Sequence, residues 1–380
     1  MRSAAGNEAA NSEGVSTTAQ TIVWYPTGRQ WFAAIEEAIR CATSSIVAEF
    51  YIWSPGRLAQ RLESRLAEAV GRGCSVRLLI DAYGSDGAGP AVRRLERMGV
   101  QVAWFNPRRF MRLTFRNHRK LVVVDRSHAF IGGCNVGDEY DGDGVEQGWR
   151  DLGLCIQAPL CVAVLARSFQ RMWDMAPFNQ LPGSAAMPEG ARGADWELFF
   201  AGAGRGGRRY RRQLHRDLGQ ARRVDVLAAY FVPTTRVRAL LGSAAHRGKV
   251  RIVVPATNDV TIAHYASRHV MDQLSTAIGV YEYVPAMLHA KLVVVDEVVY
   301  VGSANFDPRS LRINFDVMLR IVDTGVAAQA RAIVEEILHH SRPYRIDPPG
   351  LRLRFYRRVA YAAMAWLDPL VARRKLRLLA

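Results

Sequence analysis

His118-Arg119-Lys120-Leu121-Val122-Val123-Val124-Asp125 lies in the first half of this 380-residue chain, and His289-Ala290-Lys291-Leu292-Val293-Val294-Val295-Asp296 in the second. Both read His-x-Lys, four apolar residues, Asp, with the same Leu-Val-Val-Val filling. Beyond each Asp comes a further match: Gly132-Gly133-Cys134-Asn135 and Gly302-Ser303-Ala304-Asn305. The chain holds 51 Lys and Arg together, yet only Lys120, Lys249, Lys291 and Lys375 are lysines. Two of the four occupy equivalent places in the pair. A position that keeps Lys against so strong an arginine bias points to a need for a compact ammonium, which the planar guanidinium does not replace.

The repeat extends outward from these motifs. In the first half, Trp31, Ile35, Ala38, Ile39 and Ala42 keep helical spacing. A strand-like run over 45–53, a helix with Leu58, Leu62, Leu66 and Val70 on one face, a buried-strand run over 76–80, a helix over 90–98 and a strand over 100–105 follow. The second half repeats the order: helix 210–221, a strand ending at 229–231, helix 235–246, strand 250–255, a helix to Ile278 and strand 280–284. Strands alternating with helices predict α/β layers. The repeat predicts two similar halves, residues 21–180 and 190–345, joined by a Pro-, Gly- and Ala-rich connector over 176–195. Residues 1–20 are small and polar without an apolar stretch, and read as a disordered tail rather than a signal peptide.

The motif spacing has a chemical reading. On a strand, side chains alternate faces, so His118 and Lys120 project to one side, as do His289 and Lys291. The glycines permit close backbone approach, and Asn135 and Asn305 offer amide donors. Two such sets facing each other would surround one phosphate with two imidazoles, two ammoniums and two amides. A neutral imidazole then attacks phosphorus while a protonated one supplies the leaving alcohol with its proton. Lys120, Lys291, Asn135, Asn305 and the Gly133 and Ser303 positions stabilise charge on the phosphate oxygens. The cationic side chains take the role a metal would play, so neither metal nor cofactor is expected. His264 and His269 lack the partner ligands a zinc site needs.

On these residues the chain resembles the phospholipase D superfamily, whose mark is the duplicated HKD motif. The strand Glu49 to Trp53, the stretch Val76 to Ser85, Asn117 to Tyr140 and Ala229 to Pro233 are similar to the bacterial cardiolipin synthase branch. The resemblance implies two α-β-α sandwich domains of the phospholipase D fold forming a pseudo-dimer with one active site. It implies phosphatidyl transfer from phosphatidylglycerol to a second phospholipid through a phosphohistidine, releasing glycerol. It assigns His118 as nucleophile and His289 as general acid and then base. It also implies that an acid at the start of a later strand orients each histidine, places matched by Asp151 and Asp316. Asp125 and Asp296 belong to the catalytic motif, with structural roles near the hairpin turns the more natural reading.

Composition bears on partners. A net charge of +16 suits a polyanion, whether anionic lipid or nucleic acid. Residues 346–380 read as a basic, amphipathic membrane-surface segment: the last 30 residues hold eight basic side chains, one acid and an apolar run from Val359 to Leu367. A helix docked on the protein is the competing reading of that segment. The basic-aromatic stretch 108–116 is a second place to meet lipid headgroups. These features favour phosphatidylglycerol and a membrane surface over nucleic acid, and imply peripheral attachment at the cytoplasmic side of a bacterial inner membrane. Hydrolysis by a phospholipase D or nuclease is the alternative activity, and oligomeric state is left open. The five cysteines, without a CxxC spacing, fit buried free thiols.

Overall fold

Apolar runs as continuous as Leu-Val-Val-Val need cover on both faces of a sheet. The computed structural model supplies that cover twice. It describes residues 21–106, 116–176, 190–202, 205–274, 277–346 and 350–364. The expected tail, most of the 108–116 stretch, the middle of the connector and the end of the apolar run beyond Met364 lie outside these residues.

The first half runs β1 (Ile22–Tyr25), α1 (Gly28–Arg40), β2 (Ser45–Phe50), α2 (Arg57–Gly71), β3 (Ser75–Asp81), α3 (Gly89–Arg97), β4 (Gln101–Phe105), β5 (Leu121–Val124), β6 (His128–Gly132), β7 (Gly153–Ile156) and α4 (Pro159–Met175). The second runs β8 (Ala191–Arg192), β9 (Trp196–Ala201), α5 (Arg205–Gln220), β10 (Arg223–Ala228), α6 (Thr235–Arg247), β11 (Lys249–Pro255), α7 (Thr261–Leu274), β12 (Gly279–Tyr283), β13 (Lys291–Val295), β14 (Val298–Gly302), α8 (Pro308–Arg312), β15 (Asp316–Val322), α9 (Thr324–His339), β16 (Ser341–Pro343) and α10 (Leu351–Ala362).

The two sheets share one topology. The first has strand order β1-β7-β6-β5-β2-β3-β4; the second repeats it as β9-β15-β14-β13-β10-β11-β12, with β8 and β16 added at its edges. In each, three parallel strands join an antiparallel hairpin that carries the Val-Val-Val run. One core lies under α1, α2 and α3 on the outer face of the first sheet, and another under α5, α6 and α7 on the outer face of the second. The largest core lies between the sheets and joins side chains of both halves with α4 and α9. This is the two-layered repeat expected from the sequence. Part of the expected connector is ordered as β8, paired with β9.

Local sequence explains the elements. Thr27 caps α1 through its hydroxyl, which accepts from the Gln30 amide. Trp31, Ile35 and Ile39, four residues apart, bury one stripe of that helix. The two motif hairpins differ in one respect. Val124 pairs with His128 across three residues, whereas Val295 pairs with Val298 across two. Asp125, Arg126 and Asp296 take the left-handed backbone these tight turns require. Gly132 thus begins seven residues after its Asp and Gly302 six after its own.

Candidate active site

Both motif histidines stand just outside the strands that the alternation argument placed them on, while Lys291 opens β13. His118 and Lys120 precede β5, and His289 and Ala290 precede β13. Each segment is held by the other half. The His118 amide donates to the Phe315 carbonyl at 2.9 Å, and the Phe315 amide to the Arg116 carbonyl at 2.9 Å. In mirror fashion the His289 amide donates to the Arg150 carbonyl at 2.7 Å, and the Arg150 amide to the Met287 carbonyl at 2.8 Å. Backbone pairing across the domain boundary therefore sets both segments side by side.

The same exchange delivers the carboxylates. Asp316 of the second half meets Nδ1 of His118 at 2.9 Å, and Asp151 of the first half meets Nδ1 of His289 at 2.6 Å. Both aspartates are fully buried, and the histidines are 7% and 3% exposed. At His118 a carboxylate on Nδ1 places the proton there and leaves the Nε2 lone pair free, the form needed for attack on phosphorus, whereas the His289 ring also has Lys291 Nζ at 2.6 Å from Nδ1. Burial first, and the neighbouring lysines second, push the pKa of His118 down to about 4 and that of His289 down to about 3. Asp316 is held below its ordinary range by His118 despite its burial. Both imidazoles are neutral at pH 7 in the free protein.

The lysines complete the cluster. Lys120 donates to the His118 carbonyl at 2.7 Å. Lys291 lies 3.0 Å from Nε2 of His289 and also donates to the His289 carbonyl. Burial, reinforced by Lys291, pushes Lys120 well below the usual lysine range; burial also lowers Lys291. Lys120 feels Asp151 and Asp316 alike, so all six groups share one electrostatic site.

The residues after the motifs, expected at the phosphate, also have neighbours within the protein. Ser303 is fully buried, and its hydroxyl donates to Asp316 at 2.7 Å. A Cβ on Gly133 would stand 2.2 Å from the Asp151 carboxylate, so this position must be glycine for Asp151 to reach His289. Both positions thus serve the orienting acids. Asn135 spends its amide on Tyr140, to whose hydroxyl it donates at 2.9 Å, and accepts from the Ile52 amide at 3.2 Å. Asn305 differs: its buried Oδ1 has no partner among the described residues. Asp125 and Asp296 stand at the far ends of their strands, away from the imidazoles. Asp125 accepts from the amides of Thr43, Ser44 and Ser45, and Asp296 from those of Arg222 and Arg223. Their motif positions are structural, because a tight turn followed by exposed backbone amides needs an acceptor.

The aromatic wall was not foreseen. The His289 ring lies 5.1 Å from Tyr140, 5.7 Å from Trp149 and 6.3 Å from Tyr230, whereas His118 has Tyr51 at 5.1 Å. Tyr140 and Trp149 belong to the acidic loop after the first motif. Its Asp138 and Asp143 are occupied locally, accepting from backbone amides of α2 and of the loop itself. The signal available in sequence was aromatic residues interleaved with those acids. Also unforeseen is the support under the first motif. Arg119 pairs with Glu49 at 2.7 Å, both fully buried, and donates to Ser168 at 2.6 Å. The Asn117 amide donates to Asp81 at 2.9 Å.

In its described part the C-terminal segment takes the docked form. α10 docks on α7 through Ala360 and an Arg357–Asp272 pair at 2.6 Å. Its other face leaves Leu351, Phe355, Tyr356 and Val359 exposed. No helix among the described residues is long and apolar enough to cross a membrane. Of the cysteines, Cys41 is exposed and the other four are buried free thiols.

The chain has relatives among known proteins. The family described as "Cardiolipin synthase, PLD-like domain" matches residues 35–173 and 214–338, one segment per half. Cardiolipin synthase A of Pseudomonas syringae pv. syringae (strain B728a) is 35% identical over 318 residues, covering 81% of this chain and 66% of the relative. Cardiolipin synthase A of Pseudomonas putida (strain F1) is 34% identical over 362 residues, covering 86% and 72%. The chain thus spans just under two thirds of the length of the first of these relatives. Among solved structures, phosphatidylserine synthase of Haemophilus influenzae Rd KW20 superposes with a TM-score of 0.74 at 14% identity, over 94% of this chain and 96% of that one, which speaks to the fold. By its two matched segments, its duplicated motif and its shared topology, the chain belongs to the cardiolipin synthase branch of the phospholipase D-like family.

Proposed function

We propose that the chain is a phosphatidyltransferase that moves a phosphatidyl group from phosphatidylglycerol to a second phospholipid by way of a phosphohistidine. The observation that carries this reading is the crossed pair of imidazole–carboxylate bonds, which leaves two neutral Nε2 atoms beside two buried lysines. In the first step Nε2 of His118 forms a bond to phosphorus as the bond to the glycerol oxygen breaks. The departing oxygen takes a proton from His289. In the second step the acceptor hydroxyl gives its proton to His289, its oxygen bonds to phosphorus, and the phosphorus–nitrogen bond breaks. The phosphodiester carries a negative charge into the site, which offsets the lysines and favours the protonated form of His289 that the first step needs. Lys120, Lys291 and Asn305 face the charge that builds on the phosphoryl oxygens.

A lipid substrate is favoured by α10, whose exposed Leu351, Phe355 and Val359 recur every four residues beside exposed Arg352, Arg354 and Arg358. Such a face suits the headgroup region of an anionic bilayer and supports peripheral attachment to the cytoplasmic side of a bacterial inner membrane. Incubating the purified chain with vesicles of labelled phosphatidylglycerol tests the reading. Cardiolipin with glycerol is the expected product pair. Phosphatidic acid with glycerol would identify a hydrolase instead, and the absence of any lipid product would reject a phospholipid substrate.

A further inference from the structure

Tyr51 and Tyr230 each stand just beyond a strand that pairs with a motif strand, though one position apart in the repeat. Tyr51 packs on His118 and Tyr230 on His289. Tyr51 contributes to the electrostatic surroundings of the Tyr230 hydroxyl. Their partners have opposite charge. Arg116 donates to the Tyr51 hydroxyl at 2.8 Å while its guanidinium lies 3.6 Å over the ring of Tyr83. The Tyr230 hydroxyl donates to both oxygens of Asp259, at 2.8 and 2.9 Å. Asp259 is exposed, and its charge reaches Lys291 inside the site. The site is therefore positive beside His118 and negative beside His289.

We propose that Asp259, held by Tyr230, forms the subsite for the alcohol portion of the substrate and selects uncharged polyol or amino-alcohol headgroups over anionic ones. The inference rests on the assignment of His118 as nucleophile. Displacement at phosphorus is in line, so the departing alcohol lies opposite the attacking nitrogen, on the side of His289. The acceptor enters at the same place in the second step. An exposed carboxylate there accepts hydrogen bonds from hydroxyls neighbouring the reacting one, or pairs with an ammonium. It repels a carboxylate in the same position. The first half has no acid in the equivalent role, since Tyr51 is tied to a guanidinium.

The test uses the full chain, phosphatidylglycerol vesicles and two soluble acceptors of one skeleton, deuterated glycerol and glycerate, offered together at equal concentration. Mass spectrometry reads the ratio of the two phosphatidyl products. The wild type is expected to favour glycerol. In Asp259→Asn the glycerate-to-glycerol ratio should rise about tenfold, the scale of a hydrogen bond to a charged group. Tyr230→Phe, which frees the carboxylate from its tether, should move the ratio by a smaller factor in the same direction. Arg116→Gln removes the opposite charge and should not raise it. An unchanged ratio in Asp259→Asn, or an equal rise in Arg116→Gln, overturns the subsite. A wild-type protein that transfers phosphatidyl groups to neither acceptor overturns the transferase reading itself.

Discussion

The two halves present the same His-x-Lys pair on the same sheet topology, yet they surround it differently. Around His289 stand three aromatic rings; around His118 there is Tyr51 alone among the described ring contacts. The orienting acid of His289 leans on a glycine, and that of His118 on a serine hydroxyl. Buried Glu49 and Arg119 under the first motif correspond to Leu227 and Ala290 in the second, aligned by the paired registers of the two sheets. What persisted is the backbone exchange that hands each histidine the other half's carboxylate. What diverged is the side-chain wall. The comparison teaches that the duplication conserves charge delivery, while the surroundings are free to give each imidazole its own task.

The largest expected effect comes from the histidines themselves. His118→Ala should reduce turnover by roughly 10⁴-fold or more, as loss of a covalent nucleophile does. Trapping with labelled phosphatidylglycerol should place the label on residue 118 of the wild type. Label on residue 289 would invert the roles assigned to the halves. Asp316→Asn and Asp151→Asn come next, each lowering kcat by roughly 10²- to 10⁴-fold through loss of the imidazole tautomer and orientation. Loss of labelled intermediate in Asp316→Asn, though it lies in the second half, would demonstrate the crossed assignment; retention of full phosphohistidine formation would break it.

Gly133→Ala and Ser303→Ala sharpen the comparison at equivalent positions. The first pushes a methyl into the Asp151 carboxylate and should destabilise by about 1–3 kcal/mol in denaturant titration, with a matching fall in kcat. The second removes one donor from buried Asp316 and should cost about 1 kcal/mol. Equal effects would argue that the two acids are held alike. The pH dependence of stability reports on the same two histidines. The unfolded chain protonates these imidazoles near 6.5, whereas the folded chain does so only near 4 and 3. Between pH 6.5 and about 4 the unfolded state binds more protons, so stability should fall as pH falls through that window. His289→Asn should flatten the fall more than His118→Asn, because its folded pKa lies further from 6.5. Thermal melts across the window provide the measurement.

Much of this was legible from residues alone. The periodicity of Trp31, Ile35 and Ile39, and of Leu58, Leu62 and Leu66, identified α1 and α2, since burial of one helical stripe leaves a direct trace in spacing. The duplicated Leu-Val-Val-Val runs marked two central strands. β1 and β9 were missed because strands of four and six residues carry little pattern of their own. Asn135, Gly133 and Ser303 were expected at the phosphate, and their neighbours Tyr140, Asp151 and Asp316 were not foreseen. Residue type reveals donor capacity, but not which neighbour claims it.

The linear sequence by itself determined the repeat, the α/β layering and the paired histidines and lysines, because these depend on local spacing and on the chemistry of single residue types; the orienting acids came from the family resemblance. Only the tertiary structure decided that Asp151 serves His289 and Asp316 serves His118, that Tyr51 and Tyr230 have partners of opposite charge, and that α10 docks by one face while exposing the other. The imidazole–carboxylate pairs join residues 138 and 198 positions apart, brought together by two sheets packed around one core, and no periodicity in the chain encodes which half supplies a partner to which.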